Sequence, residues 1–398
     1  MKQNRICKGI ILLLSSLCIF PDVHGQKVSG YIQSQYQWGE KDATLKVGAP
    51  NENPEKTFNR IGVRRGFIKF VYEESLASGV FQLDITEKGV GFKDAYLQVK
   101  DPWFNTLVVK AGIFDRPFGN EISYSSSRRE SPERSAIFQT LFPDERDLGV
   151  LLLLQAAKTS PWNFLKLEGG LFAGNGIKQE TDSRKDFIGH LSAEKSFGSD
   201  LQIGGGVSYY NGSVYQGSEN VFRMNGQAFI VDNTPGNKGR FAKREYLGLD
   251  ARFCLLSAAG MSQIRAEYLF GQQPGRSSGS KSPNASTLPD SDTYIRNFRG
   301  GYVIYIQDFG TSPFSAVLKY DFYDPNTRIN GNAIGLNGTG TGDIACRTFG
   351  SGLLWRANNH IRVQAYYEIN RNEQTENISA YRNDRQDNVF TLRLQYKW

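Results

Sequence analysis

The chain has few of the residues that build redox or metal chemistry: four cysteines, three histidines and three methionines among 398 residues. It contains no CxxC pair, which argues against a thiolate metal site. Cys7 and Cys18 lie in the N-terminal segment. Cys254 and Cys346 are far apart, each inside a strand-like run. Whether they pair is left open, and two cysteines make no framework for a chain this long. An HExxH pair and a glycine-rich phosphate loop between strand and helix are both missing. His190 and His360 have no nucleophile motif beside them, so a hydrolase would need a Ser and a His on one strand face. No enzyme and no cofactor are expected. Asp290 and Asp292 lack the spacing of a calcium loop. Basic residues are scattered among acids, which leaves no nucleic-acid footprint.

Long apolar runs are also missing after the first 25 residues. Nothing there approaches the ~20 residues of a transmembrane helix. The mean hydropathy of −0.44 reads as soluble, but a membrane barrel reads the same, because only alternate residues face lipid. The 42 glycines and 13% aromatics favour a β protein with many turns.

The N-terminus bears on compartment. Lys2, Arg5 and Lys8 precede the apolar segment Gly9–Phe20, too short to span a bilayer. Val23-His24-Gly25 then offers a cleavage point before Gln26. We expect residues 1–25 to be a secretory signal and 26–398 to be one domain. Removing the signal leaves 44 basic against 39 acidic residues, a net of +5 instead of +7. That mild excess fits an anion-preferring passage without requiring one.

Along the chain, period-two alternation marks about sixteen strands, mostly the length that a tilted strand needs to cross a membrane. In Val28–Trp38, Val28, Ile32, Tyr36 and Trp38 alternate with polar positions. In the last strand, Phe390, Leu392, Leu394, Tyr396 and Trp398 alternate with Thr391, Arg393, Gln395 and Lys397. The connections alternate short (ESLAS, DPWFNT, GSD, NNH) and long (40–59, 115–146, 212–242, 325–344). Short turns on one rim and long loops on the other form the outer-membrane pattern. Pro102-Trp103, Pro161-Trp162 and Pro313-Phe314 share a Pro-aromatic turn suited to an interfacial anchor. Residues 222–231 suggest an extra hairpin arm. The expected fold is all-β: a transmembrane antiparallel barrel of about sixteen strands, closed by its last strand against its first. Such a strand, ending on Trp398, is what the outer-membrane barrel-assembly machinery would engage.

The loop 115–146 is long for a connection between strands, and loops of that size are usually functional or disordered. Ser131-Pro132-Glu133 reads as an N-cap, a first-turn proline and a first-turn acid. Ile137, Phe138, Leu141 and Phe142 give the next turns an apolar side, and Pro143 stops them. A short amphipathic helix needs a wall, so the loop is expected to fold into the barrel as its constriction. Arg116, Arg128, Arg129, Arg134 and Arg146 alternate there with acids.

Three blocks in this order, AGIFDRPFG (111–119), RRESPERS (128–135) and QTLFPDERDLG (139–149), resemble the phosphate-selective porin O and P family in its Bacteroidota form. The resemblance implies a sixteen-stranded, trimeric, anion-preferring channel of a Gram-negative outer membrane, whose third long loop folds inward. In that family, wall and loop arginines and lysines hold the anion. This loop lacks a run of closely spaced lysines.

Fixed charge at a constriction sets ion preference, and the arginine fork suits oxyanions. The candidate anion-binding residues are Arg128, Arg129, Arg134 and Arg116 in the loop, with Lys110 on the polar side of the preceding strand. Arg134 and Arg146 are flanked by acids, so pairing within the loop competes with a solute role. Arg265, Lys319, Arg362 and Arg393 share the polar face with Asp94, Glu267, Asp321 and Glu368, so the lumen is mixed. The expected function is passive diffusion of small hydrophilic, anionic solutes through a homotrimer in outer-membrane lipid, with phosphate among them. The competing reading is a binding or adhesion barrel with little open conductance.

Overall fold

A computed structural model describes residues 25–398. The proposed signal peptide therefore lies outside the described residues, apart from Gly25. Nine strands precede the hairpin arm or surround the inner loop: β1 (Gln26–Gly39), β2 (Phe58–Glu74), β3 (Ala77–Thr86), β4 (Gly89–Lys100), β5 (Leu107–Asp115), β6 (Arg146–Gln155), β7 (Leu165–Phe172), β8 (Asp186–Phe197) and β9 (Leu201–Tyr215). After them come β10 (Val221–Asn225), β11 (Ala228–Asp232), β12 (Phe241–Ser257), β13 (Gly260–Gly275), β14 (Thr293–Asp308), β15 (Phe314–Asp324), β16 (Cys346–Arg356), β17 (Ile361–Asn372) and β18 (Val389–Lys397). The helix α1 (Ala136–Leu141) lies between β5 and β6.

Sixteen of the strands pair antiparallel with their chain neighbours, β9 passing to β12. β1 completes the circle by pairing with β18 from Tyr31↔Lys397 to Gly39↔Val389. The two others form the expected hairpin arm in the 216–240 loop, and β10 runs briefly parallel to the start of β14. Closure leaves no barrel strand with an unpaired edge.

Burial is inverted relative to a water-soluble core. In β18, Leu394 is 53% exposed and Arg393 1%. In that strand apolar side chains point outward and polar ones into the bore, as the alternation requires. Elsewhere the wall also turns apolar residues such as Tyr210, Tyr246 and Tyr302 inward. The Pro-aromatic turns share one rim, with Trp103, Trp162 and Phe314 exposed. In the first of them, the Asp101 carboxylate accepts backbone N–H groups from Trp103 to Leu107. Those bonds, led by Leu107 and Phe104, outweigh desolvation and hold its pKa down at about 2. On the opposite rim every connection is long except the tight turn Glu87-Lys88 between β3 and β4. Cys254 and Cys346 are free, in β12 and β16.

Two β-bulges break the alternation. Between Gln33 and Ser34 of β1 the register shifts from Arg65 to Val63, so Arg64 is an extra residue on β2. A shift at Gln82 and Leu83 leaves Lys93 extra on β4. A bulge lets two consecutive side chains face the same side. Here it sends the pairs Arg64–Arg65 and Lys93–Asp94 into the bore, where the first three meet loop residues and Asp94 meets Arg146 at the start of β6.

Candidate functional site

From Asp115 the chain turns inward, and residues 116–145 run through the bore before returning at Arg146, which pairs with Asp115. One side of this loop is apolar. Phe118, Ile122, Ile137, Phe138, Leu141 and Phe142 are all fully buried. Phe142 meets Tyr210 of β9 and Tyr246 of β12 edge-on at 6.0 and 5.7 Å, and Phe138 meets Tyr302 of β14 at 6.2 Å. The wall has sockets for them. A Cβ on Gly248 would lie 2.7 Å from Phe118, and one on Gly300 2.9 Å from Ile137. Each fully buried side chain of this size contributes about 1.5–3 kcal/mol. Polar contacts lock the same side. Asn120 N–H donates to Glu267 at 3.0 Å, Lys319 pairs with Glu121 at 2.8 Å, and Ala136 N–H donates to Asp321 at 3.2 Å.

The helix begins later than the sequence implies. Ser135, not Ser131, is its N-cap, and Ser135 donates from both N–H and Oγ to Glu121 instead of capping with its side chain. Residues 131–134 stay outside the helix, their polar groups being committed elsewhere. Pro132 O accepts from Arg129 and Arg393, and Glu133 reaches the far wall.

On that wall Glu133 takes Arg64 in a bidentate pair, 2.9 Å for both bonds, Arg65 at 2.9 Å and Arg393 of β18 at 3.1 Å. Burial alone would raise the Glu133 pKa. Arg64, Arg65 and Arg393, followed by Arg129, outweigh burial and hold it well below the ordinary carboxylate range. Four guanidinium groups thus act on one carboxylate. Nearby, Glu130 pairs with Arg265 of β13, while Gln33 and Gln395 donate to Ser126 O and Ser127 O at 3.0 and 3.1 Å. Beneath the loop, toward the short-turn rim, lies a cavity of about 330 Å³ lined by Asn120, Lys166, Glu168, His190 and Arg252.

The five residues singled out from the sequence separate into three kinds. Arg134 and Arg116 hold the loop together. Arg134 pairs with Glu145 and donates to the carbonyls of Glu121, Ile122 and Tyr124. Arg116 lies over the Phe142 ring at 4.9 Å and donates to Glu145 O and Pro143 O. Arg146, the first residue of β6, bridges Asp94 and Glu145 at 2.8 and 2.7 Å. Lys110 stands apart on β5. Its ammonium sits over Tyr96 and Phe114 at 4.7 and 5.0 Å, and no hydrogen bond or ion pair joins it to the loop.

Arg128 and Arg129 are the third kind. Arg128 is exposed and has no ion pair among the described residues. Arg129 is 2% exposed, donates only from Nη2 to Pro132 O, and leaves Nε and Nη1 without an acceptor. Burial, reinforced by Arg134 and Arg65, pulls its pKa well below the ordinary arginine value. A buried guanidinium with two unmet donors is costly unless an acceptor arrives. Arg64 and Arg65 were not assigned a role from the sequence. The clue was there: two adjacent charges in one strand cannot both face the bore without a bulge.

The fold has relatives among solved structures. The outer-membrane protein OmpT of Vibrio cholerae in its trimer form superposes with a TM-score of 0.54 at 12% identity, covering 94% of this chain and all of that one. The outer-membrane channel DcaP of Acinetobacter baumannii gives 0.54 at 12%, covering 95% and 99%. Salmonella typhi OmpF, solved in complex with daunomycin, gives 0.57 at 13%, covering 94% and 97%. At such identities the likeness is one of fold. No protein-family model matches the chain, and no curated protein does.

Proposed function

We propose that the chain is an outer-membrane porin of a Gram-negative bacterium, passing small hydrophilic solutes by diffusion and preferring anions. The observation that carries the preference is Arg129, buried with two free N–H donors beside Arg64, Arg65 and Arg393. An arginine fork offers paired donors to an oxyanion, so phosphate and related oxyanions are the solutes this cluster suits. A fixed positive cluster at a constriction repels cations from the same passage. The chain reaches the outer membrane with residues 1–25 removed and its β18 strand engaged by the barrel-assembly machinery. It works there as a homotrimer, the state named for the OmpT relative.

The second reading is a binding barrel with little conductance. It is favoured by the reach of the inner loop, which touches β1, β2, β4, β12, β13, β14, β15, β17 and β18. Single-channel recording of the mature protein under a KCl gradient separates the two. The porin reading expects stepwise conductance with a reversal potential favouring Cl⁻, and R128A/R129A should move it toward cations. Unchanged selectivity in the double variant removes both arginines from the site, and a folded but silent barrel favours the binding reading.

A further inference from the structure

We propose that the outer face of β14–β17, at the long-loop rim, is a binding site for the phosphate group of an anionic membrane lipid. This rests on the reading of the chain as a membrane barrel. Arg299, Arg347 and Arg371 point outward there and line one groove of about 800 Å³ together with Tyr320, Phe322 and Asp324. Arg347 and Arg371 are directly opposite each other across β16–β17. Like charges in that relation destabilise a ladder, and a shared anion converts the repulsion into two attractions. The surrounding acids are mostly committed. Asp324 pairs with Arg299 and Asp384 with Arg371, each at 3.2 Å, while Glu373 accepts backbone N–H groups from Gly331 and Ala345. Arg347 has no ion pair among the described residues, although its side chain is exposed.

The position identifies the source of the phosphate. The groove opens on the outside of the barrel, away from the bore. Beside and below its arginines the outward surface is aromatic, with Tyr320 43%, Phe349 45%, and Tyr268 and Phe270 40% exposed. Aromatic rings at the edge of an apolar band mark the headgroup level, and arginines just beyond them meet headgroups. Acyl chains lie along the ring surface while the forks of Arg347 and Arg371 take phosphate oxygens. A soluble ion gains only the second contact.

Native mass spectrometry of the mature protein in detergent, titrated with short-chain phosphatidic acid or phosphatidylcholine, tests this. The wild type should hold phosphatidic acid at least about tenfold more tightly, and R347Q/R371Q should lose most of that preference. R347K/R371K, which keeps the charge and loses the fork, should fall between them. Conductance of each variant should match wild type, which shows that the barrel has formed. A preference retained in R347Q/R371Q overturns the site. Displacement of the lipid by excess inorganic phosphate overturns the lipid assignment. Failure of the wild type to enter bilayers at all sinks the membrane reading itself.

Discussion

Glu133 is the counter-charge that three arginines of the bore share. It neutralises part of a cluster in which Arg64, Arg65 and Arg393 all contact its two oxygens. E133Q keeps the shape and removes the charge, leaving buried guanidinium groups without a counter-charge. Breaking such a pair costs about 3–5 kcal/mol of stability, so the variant should unfold earlier. It should also be more anion-selective than wild type, read as a larger reversal potential in a KCl gradient. An unchanged potential would mean that the cluster lies off the conduction path. The pH dependence follows from the depressed pKa of Glu133. A carboxylate whose folded pKa is lowered contributes stability above its unfolded value of about 4.3, and loses it as pH falls through the folded value. Between pH 8 and about 5 the contribution of Glu133 should therefore be constant, with the anchor weakening only under stronger acid.

Among the elements, the inner loop is bound in two ways: aromatic packing on β9, β12 and β14, and ion pairs on β2, β4, β13, β15 and β18. Phe142 is the centre of the aromatic half, touching Phe118, Phe138, Tyr210 and Tyr246. F142A should cost about 3–5 kcal/mol and loosen the loop, giving larger or more fluctuating single-channel currents. Currents indistinguishable from wild type would show that the ionic half alone positions the loop. Much of this was legible in the sequence. Alternation in stretches such as 390–398 marks the strands because lipid and water impose opposite demands on successive residues. Turn and loop lengths mark the two rims, and Ile137, Phe138, Leu141 and Phe142 mark the buried side of the helix. What was not legible depends on register. The bulges beside Arg64 and Lys93 reverse the face that simple alternation assigns, and they are settled only by the neighbouring strand. The start of α1 was misplaced for a related reason: Ser131 and Pro132 have good N-terminal chemistry, but Arg393 and the β2 arginines tie that segment to the wall outside the helix. Of the five singled-out site residues, Arg134 was marked for loop pairing by its flanking acids and pairs with Glu145, whereas only tertiary contacts show that Arg129 lacks acceptors and Arg116 does not.

For the whole molecule, the question is whether anion preference comes from a diffuse field or from local contacts. The net charge, +7 for the whole chain, is small for a chain of this length, and acids and bases alternate throughout. A field spread over the barrel acts across more than a Debye length, about 10 Å at 0.1 M salt and about 3 Å at 1 M, so salt should abolish it. The cluster around Glu133 and Arg129 differs, because its groups are buried and would act on an ion through direct contact. Screening acts weakly on such groups. Ion selectivity measured under tenfold KCl gradients, one centred near 0.03 M and one near 1 M, separates the two origins. If the preference is local, a clear anion preference should persist at high salt and disappear there in R128A/R129A. If it collapses at high salt in the wild type, the overall charge distribution sets selectivity and Arg129 does not.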